Sequence, residues 1–370
     1  MLDMLNPKIN KFTPYSLNGG IDLSKIEIRL DANESFANLP DNITEDILNN
    51  IKKIEFNRYP DPVASGLTKK YAEYLKISEN AEINAGNIAV GTGTDELLNI
   101  TINAFLSKGD KILTFAPDFS MYAFYGDIIE ADVIRLRKYG ADNFAIDFDA
   151  IAEKINAENI KLAVFSNPCN PTGRLESKKT LEKFVRKINI PVIIDEVYMS
   201  FADDKKNQSF LYDFLDYPNL IIMKSLSKSA GLAAIRVGFA ISNEIFINAI
   251  KTIKSPFNVN SVSQKIAEIV LCYPDYLAER LASIKTNKKN LQTAVKTLLA
   301  GKKDYKIYET ETNFILIETP KANEIYNHLL KNKILVRTCG YVGAECLRIT
   351  SGSAEENDKL LERLGEFLKN

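Results

Sequence analysis

From about residue 87 onward, short apolar runs alternate with stretches of helical period, and that alternation confines the chain to an open, mostly parallel sheet flanked by helices. The runs at 88–90, 111–115, 133–136, 162–165, 192–194, 220–223 and 237–241 read as strands. Amphipathic stretches at 96–106 and 177–187 lie between them, the second opened by Ser177 as an N-cap. After Pro256 the texture changes. Helical patterns at 261–271 and 276–299 are followed by strands at 305–308 and 313–317, a helix, a short strand at 346–349 and a closing amphipathic helix from Ala354. The expected fold is therefore α/β: an N-terminal arm (1–30), a large domain (31–258) and a smaller α+β C-terminal domain (259–370) that packs with the arm.

Composition narrows the functions open to such a fold. With 370 residues, 47 basic and 48 acidic, the formal net charge is −1, so no global field would hold a polyanion and nucleic acid is excluded as a partner. No stretch approaches the length of an apolar membrane span, and the start of the chain lacks a signal-peptide pattern, so a soluble cytoplasmic protein is expected. Four cysteines without a C-x-x-C pair and a single histidine, His328, argue against a disulfide framework and against a metal site. His328 sits in a helical run and reads as structural. Proton transfers in an enzyme of this composition fall to Lys, Tyr, Asp or Glu.

Four segments carry chemistry. Gly91-Thr92-Gly93-Thr94-Asp95-Glu96 follows a strand and opens a helix, so its amides point at whatever lies beyond the strand end, for which a phosphate is the natural occupant. A dinucleotide fingerprint is the rival, but Glu96 stands where the third glycine would be. Ser166-Asn167-Pro168-Cys169-Asn170-Pro171-Thr172-Gly173-Arg174 follows a buried strand, and its turn residues would push Asn167 and Asn170 into the crevice at the strand ends. Asp195 and Glu196 end a fully apolar strand, a costly place for an acid without a cationic partner; a protonated pyridine nitrogen would serve, and Tyr198 follows closely. Lys228 lies in Ser225-Leu226-Ser227-Lys228 with Arg236 downstream: an amine flanked by hydroxyls and backed by a guanidinium suits a Schiff base with pyridoxal 5'-phosphate.

These segments occur in the order and roughly the spacing of a fold-type I, pyridoxal phosphate-dependent aminotransferase, which the chain resembles over nearly its whole length. Phe12-Thr13-Pro14-Tyr15, Leu30-Asp31-Ala32-Asn33-Glu34, Asn57-Arg58-Tyr59-Pro60-Asp61-Pro62 and Glu345-Cys346-Leu347-Arg348-Ile349-Thr350 resemble the histidinol-phosphate aminotransferase branch. The resemblance implies that Lys228 binds the cofactor covalently and then shuttles a proton, with Asp195 on the ring nitrogen and Asn170 and Tyr198 on the phenolic oxygen. It also implies that Gly93, Thr94, Asp95, Ser225, Ser227 and Arg236 surround the phosphate, and that Phe119 stacks on the ring where the branch usually has Tyr.

For the substrate it implies Arg348 as the carboxylate clamp, a role that suits its planar fork, and Arg337 toward a phosphate end. Tyr15, Asn33 and Tyr59 would line the same pocket. Tyr59 would enter from a second subunit, also touching the cofactor, so a homodimer with shared sites is expected. The implied substrates are small amino and keto acids, phosphorylated in this branch: L-glutamate and imidazole-acetol phosphate, giving 2-oxoglutarate and L-histidinol phosphate. A lyase resembling threonine-phosphate decarboxylase, or an aromatic or broad-range aminotransferase, shares the cofactor residues, and Phe119 and Phe257 keep the latter open.

Overall fold

The computed structural model describes residues 4–14, 20–343 and 345–369. After the short strand β1 (Ile28–Arg29), seven strands form the central sheet: β2 (Ile88–Gly91), β3 (Lys111–Ala116), β4 (Asp132–Arg137), β5 (Ile160–Ser166), β6 (Val192–Asp195), β7 (Leu220–Ser225) and β8 (Gly238–Ile241). Their order across the sheet is β2-β8-β7-β6-β5-β3-β4, with β8 antiparallel to both neighbours and the rest parallel. Alternation along each strand feeds two cores. Val192 and Ile194 join one apolar cluster and Ile193 the other, and Ile88 and Val90 lie opposite Ala89 in the same way. A sheet buried on both faces can be built only from such continuous apolar runs, each fully buried Ile, Leu or Val contributing roughly 1.5–3 kcal/mol.

The remaining strands are β9 (Lys306–Tyr308), β10 (Phe314–Glu318), β11 (Ile334–Leu335), β12 (Arg337–Thr338) and β13 (Cys346–Thr350). They form a four-stranded antiparallel sheet, β12-β13-β10-β9, while β11 pairs in parallel with β1. In β13, Leu347 and Ile349 enter the core beneath the helices while Arg348 between them faces the opposite side, toward the large body. Ile28 and Leu30 join this second core. Apolar residues of the 261–270 helix, with Leu277, join the core of the large body, whereas Leu291 and Val295, farther along the Pro274–Leu298 helix, join the second. One helix thus spans both cores. Among the described residues no helix is long and apolar enough to cross a membrane, and no group of His, Cys, Asp and Glu could hold a metal ion.

Candidate active site

The carboxyl ends of β2, β3, β5, β6 and β7, and the start of β8, open on a single cavity of about 400 Å³, roofed by residues 32–34 and by Arg348. This is the crevice where open α/β sheets bind ligands.

At the end of β2 the chain turns into the Gly93–Phe105 helix, leaving the first amides free beside Thr94 and Asp95, which line the cavity. Two glycines make the cradle tight. A Cβ on Gly93, whose φ is +78°, would lie 2.5 Å from the Arg236 guanidinium, and one on Gly238 would lie 2.5 Å from the Thr94 amide. Arg236 Nη2 stands 3.7 Å from Asp95, whose carboxyl burial pushes up against the pull of that guanidinium. Ser225 and Ser227 complete the rim, Ser225 Oγ accepting from Ser227 N at 3.0 Å. Free amides, a helix dipole and a guanidinium make an anion seat.

Lys228 is the amine in this cavity. Its Nζ donates to the Ala32 carbonyl at 3.0 Å, and burial, with the nearby charge of Arg348, brings its pKa down to about 8. Opposite it, Asp195 is buried, and desolvation pushes its pKa up to about 7 against hydrogen bonds from Tyr122 Oη at 2.8 Å and Val197 N at 3.0 Å. Tyr198 Oη accepts from Asn33 Nδ2 at 2.8 Å, and burial holds its pKa near 12. The acidic pair is split: Glu196 turns away from the cavity to Lys224 at 2.7 Å and accepts from Ser209 and the Phe210 amide.

The asparagine turn also divides its labour. Asn170 lines the cavity and its Oδ1 accepts from Arg348 Nη1 at 2.7 Å. Asn167, expected in the crevice, instead pins the turn, donating to Glu176 O at 3.1 Å and accepting from Glu176 N at 2.8 Å; a backbone with free groups on both sides captures the amide first. Arg348 also donates to the Asp31 carbonyl, and among the described residues its buried Nε has no hydrogen-bond partner. Phe119 lines the wall, its ring edge-on to Tyr122.

Two expected residues do not line this cavity in the single chain. Arg337 lies opposite Arg348 in register, half-buried and outside the lining. Tyr59 is 82% exposed, stacked on Phe257 with centroids 4.7 Å apart. Tyr15 lies outside the described residues. His328 is structural as read, its ring bonded to the Arg363 carbonyl at 2.9 Å. Tyr122, Ser166 and the Ala32 carbonyl were not singled out from the sequence. Only Tyr122 carried a signal there, as an aromatic residue three positions after Phe119.

The family model for aminotransferase class I and II matches residues 21–364. The chain belongs to the class I and II aminotransferases. This aminotransferase is 38% identical to the histidinol-phosphate aminotransferase of Clostridium kluyveri over 99% of both chains. It is 39% identical to that of Clostridium novyi, over 97% of this chain and 96% of the relative. The crystal structure of histidinol-phosphate aminotransferase from Sinorhizobium meliloti in complex with pyridoxal-5'-phosphate shares the fold, with a TM-score of 0.84 at 22% identity, covering 99% of this chain and 97% of that one. The aminotransferase is an enzyme that depends on pyridoxal 5'-phosphate and acts on amino and keto acids. The cavity fits that cofactor. An anion seat, a buried carboxylate and an amine of lowered pKa meet around one space, which Arg348 also lines.

Proposed function

We propose that the enzyme transfers the amino group of L-glutamate to imidazole-acetol phosphate, giving 2-oxoglutarate and L-histidinol phosphate. The observation that carries this reading is the identity of 38% and 39% to histidinol-phosphate aminotransferases along nearly the whole chain. When bound, pyridoxal 5'-phosphate supplies an electron sink for the pair left at the substrate Cα as its proton departs. The amides of Thr94 and Asp95, with Ser225, Ser227 and Arg236, hold the phosphate, Gly93 giving Arg236 the room to do so. Asp195 would pair with the ring nitrogen, Asn170 and Tyr198 would hold the phenolic oxygen, and Phe119 would pack against the ring. The Lys228 amine, half neutral near pH 8, would hold the cofactor covalently and, once freed, would carry the substrate Cα proton.

Arg348 clamps the substrate carboxylate, a role supported by its place in the lining of the cavity beside Lys228. Asn33 fixes Tyr198 beside it. Arg337 and Tyr15 serve the phosphate end, and Tyr59 reaches the cavity of a second subunit in a homodimer. Residues 31–258 act as the large domain and 259–370 as the small one, except that the 261–270 helix and Leu277 pack into the large domain's core; of the expected arm, Ile28 and Leu30 pack on the small domain while Lys8 and Phe12 lie against the Met121–Ile128 helix of the large one.

Assays of glutamate with imidazole-acetol phosphate, threonine phosphate and phenylpyruvate test the substrate: the first should dominate, and turnover of either other compound at higher kcat/KM overturns the assignment. Lys228→Ala should abolish both turnover and the visible absorption of the covalently bound cofactor. A yellow, active variant would overturn the role of the lysine.

A further inference from the structure

Tyr122, on the Met121–Ile128 helix, is completely buried, with its hydroxyl on Asp195 Oδ2 and its ring edge-on to Phe119 at 5.6 Å between centroids. It therefore touches both the acid and the aromatic wall of the cavity. Among the described residues, Tyr122 Oη and Val197 N are the two donors on the Asp195 carboxylate. We propose that Tyr122 is a positioning residue for transamination: its hydroxyl holds Asp195 ionised and aimed at the ring nitrogen, so that the ring keeps its proton while the substrate bonds are broken. This rests on the reading that Asp195 faces that nitrogen.

The argument is a competition for one proton. A buried acid facing a pyridine can exist as carboxylate and pyridinium or as neutral acid and neutral pyridine, and a medium of low dielectric favours the neutral pair. Each hydrogen bond donated to the carboxylate stabilises only the charged arrangement. A tyrosine suits this post because it donates without titrating. Burial, together with the charges of Asp195 and Asp118, holds the Tyr122 pKa well above its ordinary value.

The other charged groups around Asp195 are committed elsewhere. Asp118 lies 3.3 Å from Lys138, Asp95 lies 3.7 Å from Arg236, and Glu196 lies 2.7 Å from Lys224. Lys228 donates to Ala32 O, and Tyr198 Oη accepts from Asn33. Loss of the Tyr122 hydroxyl would thus leave one backbone amide to hold the charge.

The test is Tyr122→Phe, which removes the hydroxyl and nothing else. In the cofactor-free protein, the carboxyl resonance of isotope-labelled aspartate, assigned by its loss in Asp195→Asn, should titrate at higher pH in the variant than in the wild type. With isotope-labelled cofactor bound, the ring-nitrogen resonance should stay at the pyridinium position from about pH 6 to about pH 9 in the wild type and move toward neutral pyridine in Tyr122→Phe. Over the same range kcat should fall about tenfold or more, with KM for glutamate changed less than about twofold.

A folded Tyr122→Phe with both resonances unchanged overturns the inference. An Asp195→Asn protein whose ring nitrogen stays protonated overturns the reading beneath it instead, because Asp195 then does not face the nitrogen. Should Tyr122→Phe fail to fold, difluorotyrosine at 122, a stronger donor of nearly the same shape, should lower the Asp195 inflection; an unchanged inflection overturns the proposal.

Discussion

Two side chains carry charges that the fold makes expensive, and the expense serves chemistry. Asp195 is buried with a pKa near 7, well above its ordinary value, so between about pH 4 and pH 7 the folded cofactor-free protein binds a proton that the unfolded chain releases. Its contribution to stability is therefore greatest in acid and is lost as pH rises through 7. Asp195→Asn should make the cofactor-free protein more stable at pH 8 than the wild type, by roughly 4 kcal/mol at most, and about equal to it near pH 4. Urea unfolding at the two pH values measures the difference; equal stability at pH 8 would contradict it. Lys228 is displaced the other way, to about 8. Covalent capture of the cofactor aldehyde, followed by its absorbance, should accelerate as pH rises through about 8, where an ordinary lysine would still be charged. Because the Arg348 charge is the second cause of that displacement, Arg348→Met should move the inflection upward while weakening glutamate binding.

At the scale of elements, precision comes from close contacts between segments distant in sequence. Gly238 begins β8 where the Thr94 amide opens the Gly93–Phe105 helix, and a methyl group there would sit 2.5 Å from that nitrogen. Gly238→Ala should keep the fold, by circular dichroism, yet weaken cofactor binding about tenfold or more by pushing one amide off the phosphate. Unchanged affinity would show that the strand yields instead. The seven strands of the central sheet could be read from the sequence because each is a short apolar run feeding two cores. Strands β1, β11 and β12 could not, since two residues hold no periodicity and the pairing of Ile28 with Ile334 is made by the fold. The 41–51 helix was missed for a related reason: only Ile43 and Ile47 are buried on it, too little for an apolar stripe. The cavity was legible where phosphate loop, acid and lysine each end a strand. Tyr122 was not, because its partner lies 73 positions away across the sheet, and Asn167 was misplaced because a turn motif does not tell which of its amides faces inward.

At the scale of the molecule, the cavity is walled by one chain, and Tyr59 and Phe257, stacked on one another, lie outside its lining. Tyr59 is 82% exposed and its stacking partner Phe257 38%, an aromatic pair left in water on the surface of the single chain. A second copy covering them would bring Tyr59 to a cavity built by the other chain, and sedimentation should then find a dimer. The sharper test is complementation. Lys228→Ala lacks the amine but keeps Tyr59; Tyr59→Ala, weakened in substrate binding, keeps the amine. If Tyr59 serves the partner, a hybrid dimer holds one site with both residues intact and one with neither, so unfolding and refolding the two variants together should give more activity than either alone. If Tyr59 serves its own chain, every site in the hybrid lacks one of the two residues. Mixed refolding would then yield no more than the average of the separate variants, and the shared-site arrangement would be wrong even if the protein is a dimer.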